Sequence, residues 1–299
     1  LCLVALVLLG PATSLRADEG MWTYDNLPLD QLRERYGFVP TPEWLDHLRL
    51  SSVRVGGSSG SFVSSDGLLM TNMHVALGYV QSLSGPDADY VTNGFYAPTR
   101  QAELTAPNLE VTVLISMEQV TGRVQVAAQG LLEADALRAR QAEIASIEKE
   151  SLDATGLLSS VVSLYNGGEY WLYRQRRYTD VRLVFAPENQ AAFFGGDTDN
   201  FTYPRYCLDV AFFRIYDDGA PIETPNYLTI KPEGPDPGDL VFVSGHPGST
   251  DRLFTYDQLE YQRDVRYPVY LDYFETYRGL VREYAAGGDE RARRVQRQL

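Results

Sequence analysis

Apolar residues recur along this chain with two different periods. Residues 29–36 carry leucine and tyrosine at helical spacing and are closed by Gly37, a helix followed by its glycine stop. Thr41 and Pro42 open a second short helix through residues 43–48, with Thr as N-cap and Pro in the first turn. From Ser51 the period becomes two. Residues 52–55, 60–63 and 68–70 read as successive strands separated by Gly, Ser and Asp turns. Residues 85–98 form a loop with Tyr90, Phe95 and Tyr96 as aromatic anchors. Residues 109–115 predict a strong strand.

Residues 131–150 are rich in Ala, Leu, Glu, Gln and Arg, with apolar positions at 137, 144 and 147, and predict a helix. Residues 160–165 and 169–178 flank an Asn-Gly-Gly turn and predict a hairpin. Further strands are expected at 181–185, 210–216 and 239–244. From about Leu253 the chain turns helical again, with aromatic and acidic residues at three- and four-residue spacings over 256–284 and an Arg/Gln-rich stretch over 289–299. The pattern as a whole is mainly β with helical segments. It ends without a C-cap or a Gly/Pro stop, which reads as a partial reading frame.

Composition narrows the class. With 44% apolar and 12% aromatic residues the chain is globular. A net charge of -14 repels nucleic acid and anionic membranes, so neither is expected as a partner. Residues 1–10 are apolar but too short to span a bilayer, and Leu15, Arg16 and Ala17 make a small-residue cleavage site. Residues 1–17 therefore read as part of a secretory signal peptide, with periplasmic or secreted localisation. Cys2 falls in that leader. Cys207 is then the one cysteine of the mature stretch, so no internal disulfide is expected. No Cys/His cluster has zinc spacing, and neither a metal nor a cofactor is expected.

Candidate chemistry centres on His74. A tight Asp66-Gly67 turn leads into an apolar run that ends in Thr71, Asn72, Met73, His74 and Val75. A strand of this kind delivers a histidine to the lip of a β-barrel, where an imidazole can carry protons near neutral pH. The Thr-Asn-x-His-Val form resembles the histidine motif of chymotrypsin-like barrels. Asp209 opens the apolar strand 210–216, and an acid leading into a buried strand is costly unless paired. It resembles the aspartate position of trypsin-like triads. His47 is expected on the surface of its helix. His246, within Ser244-Gly245-His246-Pro247-Gly248, is expected in a turn at the barrel mouth. Ser58, Ser59 and Ser61 precede the histidine by one hairpin and read as a strand crossing, so the nucleophile is not expected within these 299 residues.

The stretch from Phe194 to Arg205, followed by Asp209, resembles peptidase family S46, the dipeptidyl-peptidase 7/11 family. Gly20-Met21-Trp22, residues 66–84, Asp89-Tyr90 with Asn93 to Tyr96, residues 165–171 and residues 177–188 resemble the same family in collinear order. The resemblance implies a chymotrypsin-like double β-barrel over residues 18–252, with the start of an inserted α-helical domain over 253–299. It implies a periplasmic or cell-surface serine exopeptidase that releases dipeptides from oligopeptides with a free N-terminus. His74 and Asp209 would be two triad members, and Asn200 with Phe201 would bind the substrate α-amino group. The family usually has Trp where Phe201 stands. The serine would follow the helical insertion, beyond residue 299. A homodimer is left open. Two other classes compete: a chymotrypsin-like endopeptidase of the cell envelope, and a non-catalytic secreted peptide-binding barrel.

Overall fold

The computed structural model describes residues 18, 20–85, 87–193, 206–247, 254–295 and 298. The chain divides into two compact units, one of Leu1–Asp46 with Ile230–Val243 and one of His47–Thr229 with Ser244–Leu299.

In the smaller unit, helix α1 (Leu29–Tyr36) ends as the sequence predicts. Gly37 adopts φ 62° and returns its N–H to Arg33 O and Leu32 O. Asp18 ties down the end of α1 by accepting from Arg35 at 2.6 Å and from Tyr36 Oη at 2.7 Å. Phe38, Trp44 and Phe242 form an aromatic triangle with ring centres 5.2–5.3 Å apart. The strand expected at 239–244 does not form. Val241, Phe242 and Val243 are all exposed, although the Phe242 ring meets the triangle, so the expected in-and-out alternation is absent. Among the described residues no strand pairs with it in a ladder. Helix α2 covers Pro42–Ser51.

The larger unit is built on one antiparallel sheet. Its strands are β1 (Ser52–Val55), β2 (Ser58–Phe62), β3 (Leu68–Thr71), β4 (Phe95–Tyr96), β5 (Leu104–Thr105), β6 (Val111–Gln119), β7 (Leu158–Leu164), β8 (Glu169–Tyr178), β9 (Asp180–Ala186), β10 (Ala211–Asp217) and β11 (Ala220–Pro221). The order is β4-β9-β10-β3-β2-β1-β6-β8-β7, with β5 also on β9 and β11 on β10. This is a mixed α/β fold around a large sheet. The double barrel is not seen: the ends of the path do not meet, and the sheet is open. One end is the two-residue β4, too short for a closing ladder. The other end, β7, packs along a long helix instead.

That helix, α6 (Glu133–Thr155), and the short α5 (Thr121–Ala127) cover the β7–β8 hairpin. Val120, Val124, Ile147 and Leu172 form its core, with Ile144 and Val161 packed against them. Leu137, one of the recurring apolar positions, is half exposed because the inward stripe runs through Ala136, Ile147 and Ser151. One residue turns a helix by about 100°. Of the loop 85–98, Tyr90 and Phe95 do anchor, packed edge to face at 5.0 Å, whereas Tyr96 points to solvent. That loop forms the short helix α4 (Tyr90–Asn93) between them. Helix α7 (Asn189–Ala192) follows β9.

The main core lies on β1, β3, β6, β9 and β10. Val53, Leu69, Val111, Leu183, Phe213 and Ile215 are fully buried. Helix α3 (Met73–Leu83), not anticipated from the sequence, leaves β3 directly and seals this core with Met73, Ala76 and Val80. Each large side chain so buried contributes about 1.5–3 kcal/mol. The predicted helical tail is present as α8 (Tyr256–Tyr261), a π-helical turn at 262–266, α9 (Tyr267–Ala285) and α10 (Asp289–Arg294). No helix among the described residues is long and apolar enough to cross a membrane.

The β2–β3 turn requires a glycine. Gly67 has φ 74°, and a Cβ there would stand 2.9 Å from Ile215 O and 3.0 Å from Ile222 Cγ1. Gly67→Ala is expected to cost about 2 kcal/mol or more, combining left-handed strain with the clash. Urea unfolding midpoints of variant and parent measure it.

Candidate active site

β3 and β10 set the site. Thr71 pairs with Ala211, Met70 with Phe212 and Leu69 with Phe213. Continued two residues past Thr71–Ala211, the antiparallel register carries Asp209 opposite position 73. There the chain has already turned into α3, whose first-turn N–H groups lack helical acceptors. Asp209 supplies one: its Oδ1 accepts the His74 backbone N–H at 2.9 Å. Its Oδ2 lies 2.7 Å from His74 Nδ1. Asn72 Nδ2 adds donations to Asp209 O at 3.1 Å and Oδ2 at 3.3 Å.

The hydrogen-bond chemistry assigns the tautomer. A carboxylate only accepts, so Nδ1 donates and the lone pair of the neutral ring resides on Nε2. The His74 side chain is 65% exposed and that of Asp209 31%. The arrangement is an oriented imidazole, with its basic nitrogen on the far side of the ring from its carboxylate.

The structure brings together His74 and Asp209, 135 residues apart in sequence. It moves the histidine from a strand end to a helix N-terminus. Asn200 and Phe201 lie outside the described residues, as do Asp197 and Asp199. Asn72 is the site residue that sequence reasoning passed over. Its signal was its N-cap position, where Asn is favoured. Here the side chain leaves the cap and goes to Asp209.

His47 is half-buried rather than on the surface, because Asn226 Oδ1 lies 3.1 Å from its Nδ1. His246 sits against β2, its backbone N–H donating to Ser59 Oγ at 2.7 Å. Its Nε2 is buried without a hydrogen-bond partner among the described residues.

An ionic cluster holds the opposite end of β3 and β10. Asp66 receives Arg100 at 2.6 Å, Arg214 at 2.7 Å and the Ser64 hydroxyl. Arg214 also meets Glu103 at 3.0 Å, and Glu103 accepts from Tyr216 Oη at 2.7 Å. Arg182 lies over the Tyr216 ring, 3.8 Å from its centre. Burial, reinforced by the Glu103 carboxylate, pushes the Tyr216 phenol up to about 12. Burial works to raise the Asp66 carboxyl, but the Ser64 bond and the Arg214 charge outweigh it, and it titrates below the usual range.

Comparison with known proteins adds the lineage. The family model for Peptidase S46 matches residues 17–299. The chain belongs to the Peptidase S46 family. Among the S46 relatives, it is 33% identical to dipeptidyl-peptidase 7 of Porphyromonas gingivalis, over 89% of this chain and 41% of that protein. It is 32% identical to the Asp/Glu-specific dipeptidyl-peptidase of Shewanella putrefaciens, over 90% of this chain and 39% of the relative. The chain thus spans about two fifths of the length of these relatives. Its fold is similar to that of Porphyromonas endodontalis DPP11 in complex with the dipeptide Arg-Asp, with a TM-score of 0.76 at 22% identity, covering 94% of this chain and 44% of that one.

Two outcomes are expected for this S46 chain. Arg214→Met leaves the Glu103 carboxylate, 3% exposed, without its cation. It should destabilise by about 3–5 kcal/mol, and adding Glu103→Gln should recover part of the loss in the same unfolding assay. His246 concerns pH. Burial, with Arg54 nearby, lowers its pKa below the ordinary 6.5. The unfolded chain therefore takes up the proton first. Stability from the neutral ring is fully present above about pH 6.5 and is lost as pH falls through the folded-state value. Unfolding midpoints measured across that window should fall in the parent and fall less steeply in His246→Asn.

Proposed function

We propose that this chain is part of a serine-type dipeptidyl-peptidase in which His74 acts as general base and Asp209 orients it. One observation carries the reading: an exposed imidazole whose Nδ1 is held at 2.7 Å by a carboxylate 135 residues away in sequence, just ahead of β10. In acyl transfer a base so held takes the proton of an attacking serine and returns it to the leaving amine. The carboxylate keeps the ring in the right tautomer and offsets the imidazolium charge. The nucleophilic serine comes from sequence downstream of residue 299, in keeping with the two-fifths span of the relatives. The 299 residues alone are therefore expected to be inactive.

Dipeptide release is the property that the relatives' names share. Asn200 and Phe201 are assigned to the substrate α-amino group, a carbonyl oxygen and an aromatic face being natural partners for an ammonium ion. In the complete protein the sheet becomes part of a chymotrypsin-like double barrel, with the helices from about Leu253 opening the inserted domain. The apolar leader in residues 1–17 supports a periplasmic or secreted location.

The test uses the complete protein and dipeptidyl-coumarin substrates. His74→Ala and Asp209→Asn should each lower kcat/KM by about 10³–10⁴-fold. Retained turnover in His74→Ala would refute the assignment. N-acetylated peptides should resist the enzyme; their cleavage would mark an endopeptidase. A complete protein unlabelled by a fluorophosphonate would be a binding module.

A further inference from the structure

Helix α3 buries Met73, Ala76 and Val80, so the stripe through His74 faces away from the core. Gly78, Gln81 and Ser82 lie four, seven and eight residues beyond His74 and share that stripe. They form one wall of a cleft of about 380 Å³ whose opposite wall is Arg293, Arg294 and Gln298. Gln81 Nε2 donates to Arg293 O at 2.6 Å and ties the two walls together.

The chemistry of this cleft is one-sided. Among the described residues its lining holds two guanidinium groups and no acid, in a chain of net charge -14. Glu290 stands outside the lining and receives Nε and one terminal nitrogen of Arg293, and Nε of Arg294. Tyr284 also bonds to Arg294, but a guanidinium carries five donors, so the pair keeps N–H groups beyond those that Glu290 and Tyr284 occupy. Asp89 acts on Arg293 from outside the lining as well. The Arg294 side chain is 62% exposed and that of Arg293 23%. Arginine pairs with such spare donors suit the planar, two-oxygen geometry of a carboxylate.

Distance decides which part of a peptide reaches them. At 1.5 Å rise per residue, Gln81 and Ser82 lie about 10 and 12 Å along α3 from His74. Two residues extend at most about 7 Å, so the backbone of the released dipeptide falls short of Gln81 and Ser82. The third residue on the leaving side of the cleaved bond lies about 10 Å away. We propose that the cleft between α3 and α10 is a leaving-side subsite, in which Arg293 and Arg294 receive a carboxylate carried by the third residue beyond the cleaved bond. The proposal rests on the peptidase reading of His74. The carboxylate belongs either to the C-terminus of a five-residue substrate or to an acidic side chain at that position.

Three pentapeptides separate the cases in the complete enzyme. All share one N-terminal dipeptide. One ends in Ala-Ala-Ala with a free acid, one in the same residues as an amide, and one in Ala-Ala-Glu as an amide. The parent should favour the free acid, the Glu amide or both over the neutral amide by about three- to tenfold in kcat/KM, carried by KM. Preference for one acidic form alone identifies the source of the carboxylate. In Arg293→Gln/Arg294→Gln that ratio should fall to about one, and in Arg294→Glu alone below one. The single exchange also serves if the double variant does not fold. A parent without preference, or ratios unchanged in the variants, overturns the subsite while leaving the peptidase intact. A parent that also fails to cleave dipeptidyl-coumarin sinks the peptidase reading and the subsite with it.

Discussion

One carboxylate joins the two halves of the candidate site. Asp209 caps the first turn of α3 through Oδ1 and fixes the imidazole through Oδ2. Both contacts end on one residue, His74, so backbone and ring are set together. The donors sit at a helix N-terminus, where unsatisfied N–H groups and the partial positive charge of the helix favour an anion. Removing the carboxylate would free the ring and also orphan a helix-start N–H. Orientation of the base and entry into α3 are therefore one interaction seen from two sides.

That interaction depends on register. A one-residue slip between β3 and β10 would place Asp209 against a different position and turn its side chain to the other face of the sheet. Two features oppose a slip. Between the strands, Leu69 and Phe213 are fully buried partners in the ladder. At the far end, Arg214 on β10 reaches both Asp66, at the turn into β3, and the buried Glu103. Buried ion pairs add little net stability after desolvation, but a misplaced one is costly. The cluster thus suits the fixing of one alignment better than the strengthening of the fold.

Much of this was legible in the chain. The alternation over 52–55, 60–63 and 68–70, the hairpin at 160–178 and the acid ahead of the strand at 210–216 all appear where the period-two pattern put them. The pairing of His74 with Asp209 was legible only as a resemblance, because no local pattern says that β3 and β10 are neighbours across more than a hundred residues. Helix α3 was missed because apolar residues resume at Met73, separated from those of β3 by Thr71 and Asn72 only, and Asn72 alone marks the change of period. The expected strand at 239–244 failed for the converse reason. Its run of apolar residues reads as a strand, but they are not buried in alternation and no ladder forms there among the described residues; a strand needs a paired partner, which sequence does not report. The bulge between Phe212 and Phe213 in the β9–β10 ladder has no sequence signal either.

The helical period links the reactive ring to its surroundings. Met73, Ala76 and Val80 must lie on the sheet, since each is fully buried and together they close the core. With that stripe fixed, His74 has one orientation about the helix axis, and the residues one and two turns further on follow it. Rotation of α3 by a single residue, about 100°, would carry the imidazole toward the core and pull His74 off Asp209. Hydrophobic burial on one side of α3 thus selects which side chains line the solvent-facing groove on the other. Asp209 then fixes the ring within that groove. The core sets the direction, the ladder sets the partner, and the chemistry of the site follows from the two together.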